Sequence, residues 1–107
     1  MTFEIREYIC YKQDEVLALY ESVGWTGYTR RFDCMEQAFA QSLKIYGAYV
    51  QDQLVGLVRA VGDGLTIVYI QDLLVHPAYQ RMGIGKALLG RILEDYQAVY
   101  QKILTTD

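Results

Sequence analysis

Val75-His76-Pro77-Ala78-Tyr79-Gln80-Arg81-Met82-Gly83-Ile84-Gly85-Lys86-Ala87-Leu88-Leu89 decides how the rest of the chain is read. An apolar segment ends at Val75, proline marks a turn, Gln80 and Arg81 follow, two glycines stand one residue apart, and helical spacing begins. The first N–H groups of a helix have no acceptor inside it and lie at the positive end of its dipole. Glycines there let an anionic group come close to the main chain. The pattern predicts a phosphate-binding loop.

Two familiar phosphate motifs do not fit. A Walker A loop needs glycine where Gln80 stands and Ser or Thr where Ala87 stands. A dinucleotide fingerprint needs a third small residue where Leu88 stands. The signature Gln/Arg-x-x-Gly-x-Gly/Ala does fit, as Gln80-Arg81-Met82-Gly83-Ile84-Gly85, after the apolar Leu73-Leu74-Val75 and the His-Pro turn. In residue type, order and element placement, Val68 to Leu93 resembles motif A of the GCN5-related N-acetyltransferases (GNAT), whose loop holds the pyrophosphate of acetyl coenzyme A.

Composition bounds the rest. A chain of 107 residues is one domain burying roughly 65% of its unfolded surface, enough for a core without disulfides. With 52% apolar residues and one proline, nothing points to disorder. Cys10 and Cys34 lie among apolar neighbours without CxxC spacing, a histidine cluster or a secretory leader, so they are expected as free, buried thiols in a reducing cytoplasm, with no metal. The apolar runs are broken by Arg59, Gln71 or Asp72 well short of the ~20 residues of a membrane helix. The expected protein therefore has no membrane partner. A net charge of −3 argues against a nucleic-acid partner, whereas Arg81, Lys86 and Arg91 form a local basic patch suited to a small polyanion.

Phe3 to Ile9 alternates as a half-buried strand, and Val16, Leu17, Leu19, Tyr20 and Val23 space as a helix over 14–23. Gly24 to Thr29 reads as a loop. Asp33 reads as the cap of a second helix running through Tyr46, with Met35, Ala38, Phe39, Ser42 and Leu43 on one face. Gly47 to Val50 and Leu54 to Val61 flank a polar hairpin turn, and Gly62-Asp63-Gly64 leads into a strand from Thr66 to Val75. The helix from Gly83 carries Ile84, Leu88 and Ile92 on one row and Leu89, Leu93 and Tyr96 on the next, and a last strand opens at Lys102 to Thr105.

The resulting order, β-α-α-β-β-β-α-β, is an α/β (α+β) class with a mixed, mostly antiparallel central sheet flanked by helices, and it resembles the GNAT fold over residues 1–107 up to its fifth strand. Relatives continue with a helix carrying a tyrosine and two more strands, so the chain reads as the N-terminal two-thirds of such a domain.

The resemblance implies an acetyl-CoA-dependent N-acetyltransferase. It would transfer acetyl to a primary amine of a small molecule or peptide by direct attack in a ternary complex, without a metal. It implies cofactor contacts from the main chain of Leu73, Leu74 and Val75 and from Gln80, Arg81, Met82, Gly83, Ile84, Gly85, Lys86 and Ala87. Trp25 and Tyr28 fall where relatives cover the acceptor.

No residue stands out as the general base. Gln71 occupies a position held by glutamate in several relatives, and a glutamine cannot take a proton from an ammonium. Asp72 and Tyr69 are the other candidates. His76 reads as a strand-exit residue. The alternative is a catalytically incomplete CoA-binding domain that pairs, as a homodimer or with a partner, through the edge of its last strand.

Overall fold

The computed structural model describes residues 2–30 and 32–104, with the backbone alone for Tyr28, Thr29 and Phe32. The elements are β1 (Glu4–Glu7), α1 (Gln13–Ser22), α2 (Thr26–Thr29), α3 (Phe32–Ala40), β2 (Lys44–Val50), β3 (Gln53–Val61), β4 (Ile67–Val75), a 3-10 turn (Pro77–Tyr79), α4 (Ile84–Asp95) and β5 (Gln101–Leu104). They build one five-stranded sheet in the order β1-β2-β3-β4-β5. Neighbours from β1 to β4 are antiparallel, whereas β4 and β5 run parallel. A parallel pair needs a crossover, and α4 supplies it.

The sheet is covered on both faces. Under α4 lie Tyr46, Ala48, Val50, Val55, Val58, Ala60, Val68 and Ile70, which meet the expected helix row Ile84, Leu88 and Ile92. Under α1 and α3 lie Ile45, Leu54, Leu57 and Leu74, packed on Val16, Leu19, Tyr20, Met35 and Phe39. α4 sits hard against β3, since a methyl group at Gly56 would meet Ile84 Cγ2 at 3.0 Å. That contact fixes where the N-terminus of α4 lies relative to the sheet.

The β2–β3 hairpin turns on Gln51 and Asp52, with φ of +52° and +64°. Positive φ at both central residues is what a two-residue hairpin matched to strand twist requires. At the other end, the Asp63 carboxylate accepts from the N–H groups of Leu65 (2.8 Å), Thr66 (2.8 Å) and Ile67 (3.1 Å) and so launches β4. These bonds hold its pKa well below the usual carboxylate range, the bond from Leu65 contributing most.

Three expectations are corrected. The second helix ends at Ala40, where Ser42 Oγ donates to Ala38 O at 2.8 Å, and Tyr46 belongs to β2. The spacing of Phe39, Ser42, Leu43 and Tyr46 imitates a helix, but 44–50 gains hydrogen-bonded neighbours on both sides by joining the sheet. Asp33 accordingly lies inside the first turn of α3. The glycine loop after α1 contains a helical turn, α2, entered through Gly24 at φ +78°. Finally, both cysteines are exposed: Cys10 lies in the loop after β1 beside an 80% exposed Ile9, and Cys34 lies on the outer side of α3. Apolar neighbours in sequence fall on the opposite side of a helix or past the end of a strand.

Candidate active site

The loop between β4 and α4 is wound by a series of local bonds. His76 Nδ1 accepts from Ala78 N at 3.0 Å, Tyr79 N donates to His76 O at 2.8 Å, and the Gln80 side-chain amide donates to Val75 O at 3.4 Å. Pro77 pre-sets the 3-10 turn. Arg81 (φ +68°) and Gly83 (φ +86°) then reverse the chain through the left-handed region, and Gly83 is the N-cap of α4. The first bond inside the helix runs from Ala87 N to Gly83 O at 3.0 Å, which leaves the N–H groups of Ile84, Gly85 and Lys86 without acceptors in the helix. No side chain caps them and no acidic residue stands in the first turn. The exposed Arg81 and Lys86 flank this positive dipole end.

The two glycines have different reasons to be there. Gly83 needs its positive φ. Gly85 has no such conformation, and a methyl group there would meet only Val75 Cγ2 at 3.7 Å, an ordinary contact. Neither backbone nor packing asks for glycine at 85. With no side chain at 85 the amides stay accessible, and the residues present fit an anionic group.

β4 supplies the second part of the site. Arg59 pairs with Asp72 and Ala60 with Ile70, so Gln71 is an extra residue, a β-bulge. The bulge inverts the faces: Val68 and Ile70 lie under α4, but Asp72 and Leu74 point to the α1 and α3 side. Among the described residues β5 pairs with β4 from Ile67 to Ile70, up to the bulge. Beyond it, His76 N donates to Val55 O at 2.7 Å. Antiparallel alternation then turns the N–H groups of Leu74 and Asp72 toward β3, and those of Leu73 and Val75 toward the β5 side. Among the described residues no strand pairs with them there. This strand edge therefore has no neighbour among the described residues up to the amide-lined helix terminus.

The sequence profile of the Acetyltransferase (GNAT) family matches residues 8–106. The chain belongs to the GNAT family. A GNAT-family acetyltransferase from Streptococcus pneumoniae shares 42% identity and superposes with a TM-score of 0.87 over 99% of this chain and 76% of that one. An uncharacterized ycf52-like N-acetyltransferase from Prochlorococcus marinus is 34% identical over 83 residues, 74% of this chain but 45% of that protein. The chloroplastic GCN5-related N-acetyltransferase 1 of Arabidopsis thaliana is 44% identical over 43 residues, 40% of this chain and 22% of that protein. The chain thus spans less than half of these curated relatives. AAC(6')-Iy, solved with the bisubstrate analogue CoA-S-monomethyl-acetylneamine, shares the fold at 13% identity, with a TM-score of 0.77 over 100% of this chain and 81% of its own.

On this GNAT scaffold the loop residues from Gln80 to Ala87 and the strand residues from Leu73 to Val75 come together at one end of β4. Gln71 is the exposed bulge residue, and Tyr69, half-buried, precedes it in the part of β4 paired with β5. Asp72 is 2% exposed; its Oδ2 accepts from Arg59 Nε at 2.7 Å and from Tyr20 Oη at 2.8 Å. Trp25 stacks edge-on against Tyr20, with ring centroids 5.9 Å apart, beside the α1 and α3 layer. The Tyr28 side chain, Arg31 and Thr105 lie outside the described residues. Arg91 covers the Tyr46 ring at 4.8 Å, farther along α4 than the loop.

A cleft of about 450 Å³ lies on the other side of β4, between α1 and the β2–β3 turn, lined by Glu15, Leu19, Asp52, Leu54, His76 and Tyr79. Neither Leu73 and Val75 nor Ile84 to Lys86 line it, so the cleft and the unpaired amides do not coincide. Among the described residues no group of three or more His, Cys, Asp or Glu side chains could hold a metal ion, and no helix is long and apolar enough to cross a membrane. Sequence reasoning missed the bulge and the buried Arg59–Asp72 pair. An arginine inside the apolar run Leu57-Val58-Arg59-Ala60-Val61 was its visible trace.

Proposed function

We propose that the chain binds acetyl coenzyme A as acyl donor and catalyses acetyl transfer to a primary amine of a small molecule or peptide, by direct attack within a ternary complex, in the cytoplasm. The observation that carries this reading is Gly85, a glycine with no structural need to be one, placed where three free helix N–H groups converge. Hydrogen bonds from such groups to a charged acceptor contribute about 1.5 to 3 kcal/mol each. The GNAT membership and the fold shared with a CoA-analogue complex support the same ligand.

The pantetheine arm adds to the open edge as an extra strand, with Leu73 N–H directed at the thioester oxygen. The amine nitrogen attacks the carbonyl carbon, the C–S bond breaks, and the proton shed by the amine balances the one taken up by the thiolate. A donor already aimed at the oxyanion needs no reorganisation during reaction. With Gln71 in place of a carboxylate, amines that are neutral at the working pH are the favoured acceptors. Trp25 and Tyr28 form the acceptor side. A thiol-release assay with an amine panel tests this: release should follow the neutral fraction of one amine class as pH rises, and no release above hydrolysis with any amine refutes it.

A second reading is a CoA-binding interaction domain. All four β5 residues are exposed, including Ile103 and Leu104, and Tyr100 just before them is 86% exposed. An open apolar edge invites pairing with another chain. Sedimentation should then show a dimer; a strict monomer with the edge open counts against this reading.

A further inference from the structure

We infer that Asp72 is a positioning residue: clamped by Arg59 and Tyr20, it holds β4 in the bulged register that turns Leu73 N–H outward. The use of that N–H on an acyl carbonyl rests on the function proposed above; the control of register does not.

Arg59 and Asp72 face each other at the last pair before the register shift. Both are buried, at 7% and 2% exposure. Asp72 Oδ2 takes hydrogen bonds from Arg59 Nε (2.7 Å) and from Tyr20 Oη on α1 (2.8 Å). Arg59 Nη1 also donates to Ser42 Oγ at 3.2 Å, and its guanidinium lies 5.7 Å from the Phe39 ring. The pair therefore ties two strands, α1, α3 and the segment after α3 at the level of the bulge. Burying such a pair brings little net stability compared with apolar side chains of equal size, and specifying register is the best-attested use of buried polar groups.

The competing register shows what is specified. Without the bulge, Arg59 would face Gln71, Asp72 would face Val58, and every later side chain of β4 would change face. Asp72 would enter the apolar layer under α4, away from Arg59 and Tyr20. Leu73 N–H would turn inward to β3, and the open edge would present Asp72 and Leu74 instead. The buried ion pair excludes that arrangement because an unpaired carboxylate in the α4 layer is far more costly than an unpaired leucine.

The test is the double variant Arg59→Met/Asp72→Leu, in which either register buries apolar groups, with amide hydrogen exchange and steady-state kinetics read together. We expect a folded protein in which Leu73 N–H gains protection, the N–H groups of Ile84 to Lys86 exchange as before, and kcat falls about a hundredfold while KM for acetyl-CoA stays within about threefold. Unchanged Leu73 exchange, or unchanged kcat in the folded variant, overturns the inference. If the double variant does not fold, Tyr20→Phe removes one clamp and should show the same split at about tenfold in kcat; equal exchange and kcat there also overturn it. Should the unaltered chain transfer no acetyl group, the function proposed above fails, while Leu73 exchange still decides the register.

Discussion

The loop from Gln80 to Ala87 and the strand segment from Gln71 to Val75 are neighbours, yet they reach their geometry by opposite routes. The loop is wound by its own residues: the Pro77 turn, the His76 cap, positive φ at Arg81 and Gly83, and unfilled space at Gly85. The strand segment is shaped by distant partners, since its bulge exists only in pairing with β3 and its clamp comes from α1 and the far end of β3. A site half built by local sequence and half by long-range register can lose its two parts separately. Ligand affinity should follow the loop, and turnover should follow the strand.

Substitutions in the loop give the strongest test of that separation. Gly85→Asp should lower CoA affinity by about a hundredfold or more, because a carboxylate takes the place and the charge of the diphosphate. The fold should persist, since an acidic side chain in a helix first turn complements the dipole. Calorimetry and thermal melting check the two halves of this expectation. An unchanged affinity in Gly85→Asp would mean that this loop does not hold CoA.

Gly83→Ala and Gly85→Ala should part in stability while agreeing in ligand affinity. Alanine at 83 must adopt φ +86° and should cost about 1 to 2 kcal/mol of stability. Alanine at 85 sits in an ordinary helical conformation and should stabilise by about 0.4 to 1 kcal/mol through the unfolded chain. Both should weaken CoA binding, by about tenfold for Gly85→Ala. Melting temperatures moving in the same direction would break the distinction drawn between the two glycines.

Away from the site, Tyr46 donates to Asp95 at the C-terminal end of α4. Burial, then that bond, pushes its pKa up from 10.0 to about 12. A raised folded pKa means the contribution is complete below pH 10 and lost as pH rises toward about 12. Tyr46→Phe should cost about 1 kcal/mol at neutral pH. The gap between the two proteins in alkaline melts should close across that window, with CoA affinity unaffected.

The smallest effect is expected at the other end of β4, where Asp63 caps an exposed turn. Its lowered pKa means the contribution is present above the ordinary carboxylate range and is lost as pH falls below it. Asp63→Ala should lower the melting temperature slightly at pH 7 and not at all in strong acid. A constant difference across that range would assign the effect to something other than the carboxylate.

These differences also explain what the sequence discloses. The glycine loop and the row Ile84, Leu88, Ile92 are legible because each depends on residues within a few positions. The bulge is not, because residues 68, 70, 72 and 74 are all buried and alternate as in a regular strand, although the first two lie under α4 and the last two on the opposite face. Tyr46 follows Phe39 and Ser42 at helical spacing, and only its pairing with Glu7 and Val58 makes it a strand residue. Cys10 and Cys34 have apolar sequence neighbours but exposed positions, a distinction set by which side of each element meets the core. Arg59 in an apolar run is the one trace of the clamp that sequence alone displays, and its partner 13 positions away becomes apparent only from the register.

On the function proposed above, main-chain amides at the start of α4 hold the diphosphate of a thioester carrier. The decisive measurement is a titration of CoA into the isotopically labelled protein, followed through its backbone amide resonances. The largest shifts should fall on Met82 to Ala87, with smaller ones on Leu73 and Val75. Shifts confined to the cleft of Glu15, Asp52 and His76, or absent altogether at saturating CoA, would contradict it.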